Sequence, residues 1–349
     1  MSSLRDARIA VAGGGAFGLM TALALARRGA EVRVYDPQPS GRSASSIAAG
    51  MLGVAFEALE SGWDATLFAL LCAGLDAWTT ETRFPVDRSG AVYASFGGGE
   101  DLARVAAGLD ALGTPYEALT GDAARVLQPA LSAHVTAALR VPVEGRVDPS
   151  RCLPAMARAL GELGGRILAE EVPSGASFDR WRRGRADAVV IAAGHASVGW
   201  VDHASVLGRL RPIKGHILHF DGGPRNGPVV RNGEDYVAPQ PGGAVFGATM
   251  QPDQADLALE PDQVEGLRLR AIEIIPELAG LPFSAHAGVR AATADGLPLA
   301  GALGGGLFAA TGARRNGWLL APLVAETVAA AIAGEAAPYA SAFDPFRFG

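Results

Sequence analysis

Gly13, Gly15 and Gly18 are spaced G-x-G-x-x-G, with Ala16 and Phe17 between the last two. Glycines in this pattern suit a turn whose main chain must meet an anion. The first permits the tight turn, the second lets backbone approach a pyrophosphate, and the third lets the following helix lie close to its sheet. The amides and partial positive charge of that helix's N-terminus complete the site. Asp36 closes the next apolar stretch. Its carboxylate would accept hydrogen bonds from a ribose 2′-OH and repel a 2′-phosphate, which disfavours NADP. The glycine spacing alone does not separate NAD from FAD, but two later features favour FAD. Gly194 follows the apolar run 187–193 and would allow a second close approach to a dinucleotide. Near the end of the chain, Thr311-Gly312 closes a strand pattern and Arg315-Asn316-Gly317 reads as the opening of a helix. A second helix N-terminus can face a flavin's pyrimidine oxygen, where negative charge grows on reduction.

The other reactive residue types do not assemble into sites. The six histidines lack metal-ligand spacing, and His216 and His219, three apart on an expected strand, point to opposite faces; no metal site is expected. Cys72 and Cys152 are outside C-x-x-C spacing and read as small buried hydrophobes. Gly194-His195-Ala196-Ser197 misses the nucleophile elbow of a serine hydrolase. Arg180, Arg182, Arg183 and Arg185 cluster around Trp181. The net charge of −6 gives no global basic field for nucleic acid or anionic lipid, so the cluster reads as a solvated turn. No stretch has the pattern of a signal peptide, and the most apolar late stretch, 318–333, is interrupted by Pro322 and Glu326, so no membrane span is expected. A cytoplasmic location is the expectation, and oligomeric state is left open.

These residues need elements to position them. The chain has 349 residues, 49% hydrophobic and 19% charged, which allows a large core and suggests two domains. Its 46 glycines are nearly double the roughly 7% of average usage. Residues 8–12 form an apolar run without alternation, as in a strand buried on both faces of a parallel sheet. Residues 19–28 read as a helix stopped by Gly29, and 31–36 as a second strand, so the opening is one βαβ unit. Further helices are expected at 65–83, 100–112, 121–127, 149–163 (with Asp148 as N-cap), 262–275 and 317–333. Strands are expected at 86–96, 137–141, 187–193, 287–292 and 307–310. From 210 to 250 the pattern changes to alternating strands between Gly/Pro turns. Gly97 to Gly99, Gly242-Gly243 and Gly304 to Gly306 read as turns. The class implied is α/β: a Rossmann-like FAD-binding domain at 1–84, 146–208 and 291–349, interleaved with a β-rich (α+β) substrate domain at 85–145 and 209–290.

At this point the chain resembles the FAD-dependent D-amino acid oxidase superfamily, most nearly its glycine oxidase branch (ThiO type). The resemblance rests on residues 9–36, ASSIAAGML at 44–52, VEGRVDPSR at 143–151, DAVVIAAG at 187–194, RPIKGHIL at 211–218, YVAPQPGGAVFGATM at 236–250, AGVRAATADGLPLAG at 287–301, RRNGWLLAP at 314–322 and FDPFRF at 343–348. It implies non-covalent FAD and oxidation of glycine or another small amino acid by hydride transfer to flavin N5. The products would be an imino acid and, with O2 as acceptor, H2O2. It also implies roles for individual residues. Arg290 would bind the substrate carboxylate, Arg315 would lie near flavin and substrate, Tyr236 would line the substrate pocket, and Met51 would lie beside the isoalloxazine. Ser45, Ser46, Ala49, Gly50, Val172, Ala193, Gly194, Gly312, Asn316, Gly317 and Trp318 would join the glycine turn and Asp36 around the cofactor, which Met51, Arg290 and Arg315 would also reach. Ala291, Ala294, Ala313 and Ile47 depart from the family pattern, which bears on whether the substrate is glycine itself.

The residue types fit that chemistry. Hydride transfer from Cα needs an anchored carboxylate, a neutral amine and a fixed orientation. An arginine fork binds a carboxylate at two points, which lysine does not reproduce, and orientation is a large part of catalysis for an aligned two-body reaction. Without the resemblance, an arginine at a strand end is ordinarily a surface charge, Tyr236 half-buried packing and Met51 core filler. A D-amino acid dehydrogenase, a sarcosine-type secondary amine oxidase, an NAD-dependent dehydrogenase and a flavin-binding protein without turnover are the competing readings.

Overall fold

The computed structural model describes residues 4–38, 43–62, 64–81, 83–97 and 99–349; Gly98, one of the expected turn glycines, lies outside the described residues. The glycine turn hangs from a six-stranded sheet. Its strands lie in the order Leu299–Gly304, Leu307–Thr311, Ala188–Ile191, Arg8–Ala12, Glu31–Tyr35 and Arg166–Leu168. Neighbours run parallel except the first two, which form an antiparallel hairpin. The apolar, unalternating strands are buried on both faces, as such runs require. Val11 and Val190 pack with residues of helices Ala16–Arg27 and Ala321–Ala333. Ala10, Ala12, Val189 and Ile191 belong to a separate cluster with Phe178 and Trp200.

A second, nine-stranded sheet takes its strands from 91–141 and 211–292. Its main path runs Gln251–Pro252, Arg211–Asp221, Gly243–Gly247, Asp235–Gln240, Val229–Asn232, Ala91–Ser95, Ala137–Val141 and Glu117–Thr120. The ninth strand, Phe283–Ala292, pairs antiparallel along nearly the whole of Arg211–Asp221. Period-two alternation sorts this sheet's side chains. Leu218, Phe220 and Phe246 cluster with Leu267, Ala271 and Ile274 of helix Pro261–Ile274. Ile217, Tyr236 and Val245 belong to the other cluster, with Ile47 and Phe56. That second face looks toward the stretch 43–61, and the site lies there. The fold is therefore α/β, a Rossmann-like sheet with a β-rich second unit interleaved along the chain, as the strand patterns imply.

Several elements differ from the sequence expectation. Strand Phe283–Ala292 begins four residues earlier than expected, because its polar start pairs with Phe220 and His219 and needs no apolar pattern to hold it. Helix Ala55–Ser61 and strands Leu299–Gly304 and Arg166–Leu168 were not expected; each is short and takes its stability from neighbours rather than from its own periodicity. The last helix is corrected in its start. It begins at Ala321, not at Gly317, and 314–320 are turns. Pro322 explains this, since it has no N–H to give the carbonyl of Trp318 four residues back. That carbonyl instead accepts the indole N–H of Trp78 at 2.7 Å. Among the described residues, no helix is long and apolar enough to cross a membrane.

Candidate functional site

The turn 13–18 is shaped by what its glycines lack. Gly13 has φ +112°, and a Cβ there would collide with the carbonyl of Ala192. A Cβ on Gly18 would collide with the carbonyl of Gly13, so only glycine lets helix Ala16–Arg27 sit this close to the turn. Gly14, which the spacing did not single out, gives its amide to Asp36 Oδ2 at 2.9 Å, and Asp36 Oδ1 accepts from Gln38 N. Each carboxylate oxygen therefore keeps a free lone pair for a further donor. Ala16 N donates to Ser45 Oγ at 3.1 Å, which ties the helix start to the 43–50 segment. The amides of Gly15, Phe17 and Gly18 take no acceptor among the described residues. Three free amides at a helix N-terminus beside a free carboxylate edge are what a dinucleotide's pyrophosphate and ribose require. The Phe17 side chain is buried in the core, so its contribution here is its amide.

Other expected cofactor residues gather around the same sheet edge. Ser45 O accepts the indole N–H of Trp318 at 3.1 Å. Ser43 and Ser46 cap helix Ala44–Ile47 reciprocally. Ala49 is buried, and Gly50, at φ +71°, packs against Val147 and Pro149. Val172 is buried in the cluster that contains Tyr35 and Ala12. Ala193 and Gly194 begin a 3₁₀ turn, and Gly194 O accepts from Thr311 Oγ1 at 2.9 Å. Gly312 is closed in by Leu210 and Thr293, whereas a Cβ on Gly194 or Gly317 would meet nothing within 4 Å. His195 Nδ1 is buried without a partner. Free amides, open glycine faces and an orphaned ring nitrogen all fit a large polar group laid along this edge.

A narrow cleft, partly open to solvent, lies between the two sheets' neighbouring segments. It is lined by Met51, Tyr236, Arg290, Arg315 and Asn316 from the expected set, together with Gly53, Glu57, Glu60, Arg231, Glu234, Ala248 and Met250. Arg290 sits opposite Ile213 in the strand pairing, and its Nη1 donates to Thr249 O at 3.3 Å. That is its one hydrogen bond among the described residues. A Cβ on Gly215 would occupy the guanidinium's place, so a glycine in mid-strand is what lets Arg290 lie flat there. Burial works against the Arg290 charge, while the facing Tyr236 favours it. The buried Tyr236 hydroxyl is pushed above the usual phenol range by burial, which the nearby arginines oppose.

Arg315 differs from Arg290 in having its partners already. Its Nε donates to Glu57 at 3.1 Å and its Nη1 to Glu60 at 2.6 Å. Burial works against its charge, but Glu57 and Glu60 outweigh that and hold it above the usual guanidinium value. Glu60 is shared with the buried Arg231, whose guanidinium lies 4.9 Å from the Phe56 ring centroid. Burial pushes the Glu60 carboxyl up against the pull of both arginines. The cleft thus holds three arginines, of which Arg315 and Arg231 are neutralised by acids on helix Ala55–Ser61, and Arg290 faces open space. The acids, Arg231 and Gly215 were not singled out from sequence. The mid-strand glycine in Ile213-Lys214-Gly215-His216 was the one readable signal. Among the described residues, no group of three His, Cys, Asp or Glu side chains could hold a metal ion.

The family model for FAD-dependent oxidoreductases (DAO) matches residues 8–331. The chain is 30% identical to a glycine oxidase of Bacillus licheniformis over 93% of its own length and 92% of that protein. It is 33% identical to the tRNA 5-methylaminomethyl-2-thiouridine biosynthesis bifunctional protein MnmC of Caulobacter sp. (strain K31), over 94% of this chain but 55% of that one. The crystal structure of glycine oxidase from Geobacillus kaustophilus superposes with a TM-score of 0.81 at 26% identity, covering 97% of this chain and 98% of that one.

Proposed function

The chain belongs to the DAO family of FAD-dependent oxidoreductases, and from that premise we propose that it oxidises glycine or another small amino acid at Cα, with O2 as the electron acceptor. The observation that carries this reading is Arg290, a guanidinium facing this cleft, with one main-chain partner and its other donors unused among the described residues. A substrate carboxylate supplies what it lacks, two acceptors in one plane. FAD, when bound, supplies the two-electron oxidation, taking the Cα hydride and passing the electrons to O2 as H2O2.

The protein's share of the work is positioning. In the turn Gly13–Gly18 the free amides of Gly15, Phe17 and Gly18 would hold the pyrophosphate, with Ala16 tied to Ser45 beside them, and Asp36 would hold the ribose. Ser45, Ser46, Ala49, Gly50, Val172, Ala193, Gly194, Gly312, Asn316, Gly317 and Trp318 line the rest of the cofactor's path. Arg290 orients the substrate, Tyr236 walls the pocket and adds a hydroxyl, and Met51 forms an apolar side of the cleft. Arg315, neutralised by Glu57 and Glu60, sets the local field without competing for the carboxylate. No side chain is required as base if the amine arrives or becomes neutral on binding. The division of labour we propose assigns 1–84, 146–208 and 291–349 to the cofactor and 85–145 and 209–290 to the substrate, with strand Phe283–Ala292 crossing from one to the other at Arg290.

The test is anaerobic. The purified yellow protein is mixed with glycine, D-alanine and sarcosine in turn, and the flavin's visible absorbance is followed. Bleaching by glycine or D-alanine and peroxide release on admitting air are expected. Bleaching by sarcosine alone moves the substrate to secondary amines, bleaching without peroxide makes the protein a dehydrogenase, and no bleaching with any amino acid removes the reading.

A further inference from the structure

Helix Ala55–Ser61 carries the two acids that neutralise Arg315 and Arg231, yet it has no cap of its own. Its N-cap residue is Val54, whose side chain offers no acceptor. The acceptor comes from far along the chain. Glu144 Oε1 takes the amide of Ala55 at 2.8 Å and that of Phe56 at 3.3 Å. Its other oxygen lies against Gly53, where a Cβ would come within 2.8 Å of it. Glu144 is 4% exposed, on the segment joining the strands Ala137–Val141 and Gly145–Arg146. The groups that face it are the amides of Val54, Ala55 and Phe56, the Arg231 guanidinium and, from helix Ala65–Thr80, the Cys72 thiol.

A buried carboxylate is costly unless something uses its charge. Here a chain of contacts connects it to the cleft: Glu144 to the start of the helix, the helix to Glu57 and Glu60, and those to Arg315 and Arg231. We propose that Glu144 is a positioning residue whose buried carboxyl clamps the start of helix Ala55–Ser61 and so holds Glu57 and Glu60 on Arg315 and Arg231. The two amides tie Glu144 to the helix start, and a charged acceptor holds amides about twice as strongly as a neutral one. Burial nevertheless outweighs the amides and Arg231 and raises that carboxyl to about 7, so its ionisation is coupled to any opening of the helix start that hydrates it. The inference rests on the oxidase reading for its effect on turnover, but the clamp itself does not.

The experiment uses the full-length holoprotein and Glu144→Gln, which keeps the shape and one acceptor but cannot ionise. Amide exchange of peptides spanning 53–62 is measured by mass spectrometry at pH 6 and pH 8, corrected for the intrinsic rate. Opening of the helix start hydrates Glu144 and frees its carboxyl to ionise, so native protection is expected to fall about tenfold from pH 6 to pH 8, and E144Q to show none of that fall. Flavin bleaching is followed over the same range with glycine, D-alanine or sarcosine, whichever reacts. The native rate constant at saturating substrate is expected to step near pH 7, with the step missing in E144Q. Native-like pH dependence of exchange in E144Q overturns the clamp. A clamp confirmed by exchange, with bleaching profiles identical in the two proteins, confines Glu144 to structure and also overturns the proposal. If no amino acid bleaches the flavin, the oxidase reading fails and exchange alone decides the clamp.

Discussion

A guanidinium at a cleft serves a reaction only if its donors are not already spent. Arg290 and Arg315 are both arginines near the same cleft, and their partners separate them: Arg315 is held by two carboxylates, Arg290 by one carbonyl. Arg290→Ala should therefore raise the KM for the amino acid by roughly 100-fold, the scale of a lost bidentate charge-assisted pair, with the flavin spectrum unchanged. Arg290→Lys should restore little of it, because an ammonium lacks the planar fork. Gly215→Ala tests the same group from behind. The added methyl occupies the guanidinium's place, so KM should rise about tenfold in steady-state assays while the FAD stays bound. A native KM in G215A would mean Arg290 is not the carboxylate ligand in that position. The family resemblance singled out Arg290 and Tyr236, and both line the cleft. Gly215 was not singled out, since its meeting with Arg290 depends on the register that sets Ile213 opposite Arg290.

At the scale of elements, two turns hold the site, and each depends on a missing atom. The first is the turn before helix Ala16–Arg27, where Gly18 leaves room for the Gly13 carbonyl. Gly18→Ala should force helix and turn apart and yield a protein that is purified colourless and takes up FAD poorly, read from the visible absorbance after reconstitution. The second is the turn before helix Ala321–Ala333, where Pro322 lacks the N–H that would bind Trp318 O, leaving it for Trp78 Nε1. Trp78→Phe keeps most of the ring but leaves the buried Trp318 carbonyl with only the longer bond from Ala321 N, 3.3 Å. It should destabilise by about 1–3 kcal/mol in urea unfolding, and a loss under 0.5 kcal/mol would show that water replaces the indole. The first turn was legible in its three glycines and flanking strand, which encode it locally, though its helix begins at Ala16 rather than at 19. The start of the last helix was misplaced because Asn316-Gly317-Trp318 continues the helical pattern, and what stops the helix is a proline acting four residues upstream.

At the scale of the whole molecule, the interleaving of two sheets was legible, since unalternating apolar strands and alternating ones occur in separate blocks. What crosses between the blocks was not. Glu144 meets Ala55 and Phe56 across 89 and 88 positions of chain, and the motif at 143–151 that contains it does not reveal that contact. Its charge has a cost for the whole fold. The carboxyl ordinarily titrates near 4.5 and burial carries it to about 7, so the folded state binds this proton more tightly than the unfolded chain. Stability is then complete below pH 4.5, falls as pH rises because the unfolded chain alone ionises, and levels off above 7. The loss is on the order of 3 kcal/mol, at about 1.4 kcal/mol per pH unit across that window. Other carboxylates act the other way. Asp87, held below its usual range by Ser89 and Arg146 against the effect of burial, and Asp295, held low by Arg347 and Leu297 N against burial, lose their stabilising charge as pH falls below their ordinary range. Glu144→Gln removes one slope and leaves the other. Its unfolding free energy should match the native protein's at pH 5 to within about 1 kcal/mol and exceed it by about 2–3 kcal/mol at pH 8. Equal stabilities at pH 8 would mean that Glu144 ionises freely in the fold, and a less stable E144Q at pH 8 would mean the amides and Arg231 outweigh burial. A variant more stable than the native protein yet altered in its pH response would place Glu144 among the residues that keep a charge the fold could do without.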